Sequence, residues 1–324
     1  MRVVVIGAAG MIGSRLAARL ARDAAIAAEP ISHLLLVDAV PAARVDGGGR
    51  VTVQTLVADI VSPGVASEIV SARPHVIFDL AAVVSGEAEA DFELGYRVNL
   101  DATRSLFDAI AAVGGGYRPR LVFSSSIAVF GPPLPDVIGD EQRLTPATSY
   151  GTQKAIVELL LSDYTRRGIL DGVGVRLPTI CVRPGTANRA ASGFFSSIIR
   201  EPLNGERAIL PVADDVRHWF ASPRAAVQFL VHAASLAGDA LGAVRSLTMP
   251  GVSASVAMEI EALRRLGGEH AVSLISREPD ETIARIVGSW PKAFDARRAQ
   301  ALGFRAETSF EELVHVHLED ELAR

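Results

Sequence analysis

Apolar residues fall along the first 180 positions in short, β-branched blocks separated by longer segments of helical period. The blocks are Val3 to Ile6, Leu34 to Val37, Val51 to Ala58, Val76 to Leu80, Leu121 to Ser124 and Gly174 to Leu177. A strand buried on one face alternates between apolar and polar positions. Continuous blocks such as these suit parallel strands covered by helices on both faces. The intervening segments have room for crossover helices, so the pattern predicts an α/β fold with a doubly wound parallel sheet. Between the first two blocks, Ile12, Leu16 and Leu20 recur every fourth position while Arg15, Arg19 and Arg22 occupy other faces, which predicts a helix with one side on the core.

Beyond about residue 185 the pattern loosens, and Gly, Pro and Arg become frequent from Pro184 to Pro223. A loop-rich substrate lid followed by helices is expected there. The expected division is a regular α/β domain over 1–180 and a smaller, less regular one over 181–324, some of whose segments return to the first core. The Gly114-Gly115-Gly116 triplet reads as a loop, and Ser309 with Glu312 fits a capping box opening a last helix through Leu313 and Leu318. His315 and His317 lie two apart on that helix, hence on different faces, and both are expected at the surface without metal-ligand spacing.

Composition narrows the field. With 324 residues the chain can bury a full core, and 49% hydrophobic residues with a mean hydropathy of +0.29 place it far from disorder. Its longest charge-free apolar stretches, Val3 to Ser14 and Ala225 to Gly238, are too short or too rich in Gly and polar residues to span a membrane. Met1-Arg2 and the following apolar run imitate a secretory signal, but Gly7, Gly10 and Gly13 interrupt it and an arginine-bearing helix follows. A net charge of −5 offers no footprint for nucleic acid. The single cysteine, Cys181, excludes an internal disulfide and fits a reducing cytoplasm, where it is expected as a small buried hydrophobe.

Gly7-Ala-Ala-Gly10-Met11-Ile12-Gly13 follows the first block and opens the first helix. In that context the first glycine permits the tight turn, the second lets backbone approach a pyrophosphate, and the third allows close packing of helix on strand. Asp38 ends the second block, where a carboxylate can accept both hydroxyls of an adenosine ribose and repel a 2'-phosphate; NAD is favoured over NADP. Asp59-Ile60, ending the third block, lies where an adenine could be held.

Tyr150 and Lys154 are four residues apart, on one face of a helix and about 6 Å along its axis. A neighbouring cation favours the phenolate, so Lys154 can activate Tyr150 as a general base and also reach the nicotinamide ribose. Ser124-Ser125-Ser126 ends the fifth block, and the C-terminal ends of parallel strands are where ligands bind. A hydroxyl there can hold the reacting alcohol oxygen. Asn99 has two readings, a relay water or a backbone brace. No Gly-x-Ser-x-Gly elbow and no Gly-x-x-x-x-Gly-Lys loop is present.

In order and spacing these motifs resemble the extended short-chain dehydrogenase/reductase superfamily, the NAD-dependent epimerase/dehydratase family, over essentially the whole chain. The resemblance implies a Rossmann-type domain with a smaller C-terminal substrate domain. It also implies Tyr150 as catalytic acid/base, Lys154 as its partner and Ser126, in Ser-x-x-Val-Phe-Gly131, as the catalytic hydroxyl. Cofactor contacts then extend from Gly7, Gly10, Met11, Ile12, Gly13, Asp38, Asp59 and Ile60 to Leu80, Ala81, Ala82, Asn99, Ser124, Ser125, Tyr150, Lys154 and Pro178.

Most members of that family act on nucleotide sugars, but the segment from Arg176 to Gly185 departs from their Arg-Tyr-Phe-Asn-Val-Tyr-Gly-Pro-like pattern. With Ala81 to Phe92, Ser192 to Pro202 and Trp290 to Asp295, it is similar to a branch whose activity is NAD-dependent oxidation of the 2-hydroxyl of a four-carbon sugar acid. The alternative is a nucleotide-sugar epimerase or dehydratase with tightly held NAD. A small acid needs a cationic anchor, for which Arg183 and Arg217 are candidates; Ser85, Ser126 and Thr179 are candidates for substrate hydroxyls. The expected assembly is a cytoplasmic homodimer.

Overall fold

The computed structural model describes residues 1–185 and 191–322. Contacts group them into two compact units. One is drawn from Met1–Ser126, Thr148–Arg176 and Val227–Leu247, the other from Ile127–Ala147, Leu177–Ala226 and Thr248–Arg324.

In the first unit all six apolar blocks are strands: β1 (Arg2–Ile6), β2 (His33–Asp38), β3 (Thr52–Val57), β4 (Val76–Asp79), β5 (Arg120–Ser126) and β6 (Asp171–Leu177). A seventh, β7 (Ser246–Thr248), completes the sheet in the order β7-β6-β5-β4-β1-β2-β3. The pairings of β1 with β2 and β4, of β2 with β3 and of β4 with β5 are parallel. Val3, Val4, Val5 and Ile6 are each at most 3% exposed, as a strand covered on both faces requires. β7 escaped the sequence reading because three residues cannot show a period; it exists through its neighbour, with the Gly174 amide donating to the Arg245 carbonyl (2.9 Å).

Helices cross between these strands: α1 (Met11–Asp23), α2 (Val65–Ser71), α3 (Ser85–Ala90), α4 and α5 (Ser149–Arg166). On α1, Leu16 and Leu20 are buried and Ile12 half-buried, as the period predicted. α4 runs from Phe92–Tyr96 through a π turn at Arg97–Asp101 into Ala102–Val113, with the Asp91 carboxylate capping its start. Gly114, Gly115 and Gly116 all have positive φ, which explains three glycines in a row where the chain leaves α4.

The second unit packs a three-stranded sheet, ordered Thr179–Ile180, Arg217–Ala221 and Val252–Ser255, with helices α6 (Gly193–Leu203), α7 (Val256–Ser273) and α8 (Phe310–His317). The expected loop-rich lid from Pro184 to Pro223 is corrected here. Residues 186–190 of it lie outside the described residues, but α6 is a buried helix whose Phe194, Phe195, Ile198 and Ile199 form one apolar stripe in the core with Cys181. Ser309 caps α8 by accepting from the Glu312 amide (3.2 Å), and Glu312 reaches back to the Thr308 amide (2.7 Å). The surface expectation fails for His317, which is 4% exposed, because Phe310, Leu313, Val314 and His317 share the inward face of α8. Among the described residues no helix is long and apolar enough to cross a membrane.

Candidate active site

The C-terminal ends of β1, β2 and β4 build the first half of the site. Gly7 and Ala8 both donate their amides to the Val37 carbonyl (2.9 and 3.1 Å), and the Ala9 amide donates to Asp38 Oδ2 (2.8 Å), so the glycine turn is fastened to the end of β2. Gly7 has φ +84°, and a Cβ on it would lie 2.7 Å from the Ala81 nitrogen. The turn therefore presses directly on the Leu80 to Ala82 segment, where the Leu80 amide donates to the Ile6 carbonyl (3.0 Å). A Cβ on Gly13 would lie 2.0 Å from the Gly7 oxygen, so no larger residue fits between α1 and the turn. Gly10 precedes α1 without any side-chain cap, which leaves the first-turn N–H groups around Met11 and Ile12 facing outward. Asp59 is exposed and its carboxylate accepts from the Val61 amide (3.2 Å), while Ile60 is buried beside it.

The second half is carried by β5 and α5. Thr148 caps α5, accepting from the Gly151 amide (3.1 Å), and this fixes where the helix starts and hence which face Tyr150 and Lys154 share. Tyr150 is half-buried. Lys154 is 1% exposed, with its Nζ 4.6 Å from the Phe123 ring centroid and 5.6 Å from that of Tyr150. Burial pushes the ammonium down to about 8, against the opposing fields of Asp79 and Glu158. Asp79, also buried, is pushed up by burial while Lys154, the Thr103 hydroxyl (3.0 Å) and the Ala81 amide favour its charged form.

The three serines diverge. Ser124 donates to the Asp79 carbonyl (3.2 Å) and Ser126, half-buried, ends β5. Ser125 is 2% exposed and its hydroxyl donates to Glu158 Oε1 (2.6 Å), so it faces the interior instead of the strand end expected of a cofactor contact. Glu158 is in turn held by Arg176 through both Nε and an outer nitrogen. Asn99, in the π turn, braces backbone: it accepts from the Val83 amide (2.9 Å), donates to the Val83 carbonyl (3.1 Å) and donates to Gln153 Oε1 (2.7 Å). Asp79, Gln153, Glu158 and Arg176 were not singled out from the sequence, since nothing in their spacing marks them. Ser85 is the first residue of α3 and half-buried.

The remaining candidates belong to the second unit. Pro178 is buried and Thr179 half-buried. Thr179 Oγ1 lies 2.7 Å from His218 Nε2. Arg183 donates to the Ile180 carbonyl (3.0 Å) and to Ser192 Oγ (3.1 Å), and Arg217 donates to the Ser253 carbonyl (3.0 Å). Arg217 makes no ion pair among the described residues, which leaves its charge uncompensated there.

The model of the NAD dependent epimerase/dehydratase family matches residues 3–235. The chain belongs to that family. It is an enzyme that uses NAD, and the tight turn at Gly7 with the close helix–turn approach at Gly13, the uncapped N-terminus of α1 and the carboxylate of Asp38 fit a dinucleotide. Two D-erythronate dehydrogenases are similar to this family member along almost their whole length. That of Cupriavidus necator is 46% identical, covering 99% of this chain and 98% of that one; that of Haemophilus influenzae is 40% identical, covering 98% and 99%. Among solved structures, one described as the nucleoside-diphosphate-sugar epimerase from Agrobacterium tumefaciens superposes with a TM-score of 0.96 at 56% identity, covering 100% of this chain and 95% of that one.

Proposed function

We propose that the protein oxidises the 2-hydroxyl of D-erythronate to the 2-oxo acid. NAD, when bound, would supply the acceptor for the hydride that leaves C2. The chain's own residues handle the oxygen: Ser126 at the end of β5 holds it, Tyr150 takes its proton, and the buried Lys154 ammonium one turn on stabilises the phenolate that does so. Asp38 would hold the adenosine ribose, and Gly7, Gly10, Met11, Ile12 and Gly13 the pyrophosphate. Leu80, Ala81 and Ala82, which press on Gly7, line the cofactor's path, and Asn99 holds them in place through Val83. Arg183 and Arg217 are the candidate anchors for the carboxylate, with Ser85 and Thr179 for the remaining hydroxyls.

The observation that carries the substrate is the match to two D-erythronate dehydrogenases, which covers 98% or more of this chain and of each of theirs. The description of the Agrobacterium structure favours a second reading, epimerisation of a nucleotide sugar. One experiment separates them: NAD is supplied with D-erythronate, its stereoisomers and UDP-sugars. Stoichiometric NADH from D-erythronate with no UDP-sugar interconversion is expected. Epimerisation without net NADH, and silence toward four-carbon acids, would establish the second reading.

The assembly is proposed as a homodimer in the reducing cytoplasm. Sedimentation at micromolar concentration tests the dimer.

A further inference from the structure

His218 is 3% exposed, on the middle strand of the second unit's sheet. Its ring stacks on Phe195 (5.6 Å between centroids, 8° between planes), meets Phe220 edge-on at 5.5 Å and packs on Trp290 at 5.2 Å. Three aromatic walls hold the ring in one orientation. Both ring nitrogens are engaged, Nδ1 with the Pro291 carbonyl (2.9 Å) and Nε2 with Thr179 Oγ1 (2.7 Å).

These contacts leave one arrangement of protons. A carbonyl can only accept, so Nδ1 carries hydrogen. Burial pushes the imidazole down to about 4, so the ring is neutral near pH 7 and Nε2 is a bare lone pair. The Thr179 hydroxyl must donate to it. Thr179 is half-buried and follows the C-terminal end of β6 by two residues, and with its only proton committed inward its remaining lone pairs can do nothing but accept.

We propose that His218 is a positioning residue that holds the Thr179 hydroxyl as an obligate hydrogen-bond acceptor, so that Thr179 selects a substrate hydroxyl over an ether, a carbonyl or a missing group. This rests on the reading of a polyhydroxy acid as substrate and names the polarity with which one hydroxyl beyond the reacting one is recognised. It also gives the Trp290 to Lys292 segment a role, since the Pro291 carbonyl sets the tautomer and Trp290 walls the ring.

The test combines spectroscopy with substrate analogues. Nitrogen-15 NMR of labelled protein, with His218→Phe as the assignment control, is expected to place the proton on Nδ1 from pH 6 to 9. Thr179→Val should lower kcat/KM for D-erythronate about 10- to 100-fold, mostly through KM, while leaving whichever of the 3-deoxy and 4-deoxy analogues lacks the recognised hydroxyl unchanged. Thr179→Ser should restore most of the loss. His218→Phe should narrow the preference for D-erythronate over that same analogue. A proton on Nε2, or Thr179→Val within twofold of the unmodified protein on all three acids, would overturn the proposal. If the unmodified protein instead makes no NADH from any four-carbon acid, the erythronate reading fails; the tautomer and the same variants are then read on the hydroxylated substrate it does turn over, and decide this inference separately.

Discussion

Arg176 grips Glu158 through two nitrogens, at 2.9 and 2.7 Å, in the interior one helical turn beyond Lys154. The side chains are 9% and 4% exposed, and Ser125 donates to the same carboxylate at 2.6 Å. This cluster joins α5, β5 and β6, so it ties the helix of Tyr150 and Lys154 to the strand that ends in Ser126. Replacing one partner strands a buried charge. Arg176→Met alone should destabilise the protein by roughly 3–5 kcal/mol, and the double variant Arg176→Met with Glu158→Leu by less than the sum of the single variants. Urea denaturation of the three variants measures both quantities.

Tyr150→Phe should leave NAD affinity close to unchanged and reduce turnover on the order of 10² to 10⁴, because it removes the group that takes the proton and little else. Lys154→Met should weaken NAD binding. It should also move the rising limb of the oxidative pH–rate profile to higher pH, since without the ammonium the phenol ionises later. Near-normal turnover in Tyr150→Phe would remove this residue from the chemistry.

Asp38 should govern the choice of dinucleotide. The unmodified protein is expected to prefer NAD strongly over NADP, and Asp38→Ser to narrow that preference by removing both the diol acceptor and the repulsion of a 2'-phosphate. A ratio of kcat/KM values measured with the two cofactors checks this. The carboxylate also accepts from the Ala9 amide, so Asp38→Ser should raise KM for NAD as well.

Glu259 is fully buried on α7, and among the described residues neither of its oxygens has a hydrogen-bond partner. Burial holds its carboxyl well above the ordinary range, so the folded chain keeps a proton that the unfolded chain releases. Between those two points the folded state binds more protons, and stability must fall as pH rises. Glu259→Gln should flatten that decline: equal to the unmodified protein near pH 4, and increasingly more stable toward pH 8. Chemical denaturation across that range provides the comparison.

Much of this was legible in the sequence for local reasons. Continuous apolar blocks read as parallel strands because burial on both faces leaves no polar position, and all six such blocks are strands. The Gly7 to Gly13 turn could be read because its requirement is steric and short-range, a positive φ at Gly7 and no room for a Cβ at Gly13. The same holds for the shared face of Tyr150 and Lys154, which follows from helical pitch.

What the sequence could not display is any relation that depends on which distant segments become neighbours. The period that reveals a strand is absent from the three residues of β7, which are ordered only by β6. Three adjacent serines look alike in sequence, yet strand alternation and the arrival of Glu158 turn Ser125 inward while Ser124 and Ser126 stay half-buried. His218 and Pro291 are 73 residues apart, and nothing in either neighbourhood indicates that one sets the tautomer of the other. Sterics and periodicity act over a few residues and are written in order along the chain. The charges, protons and donor directions that make the site selective arise from contacts between remote segments, and only the tertiary structure decides them.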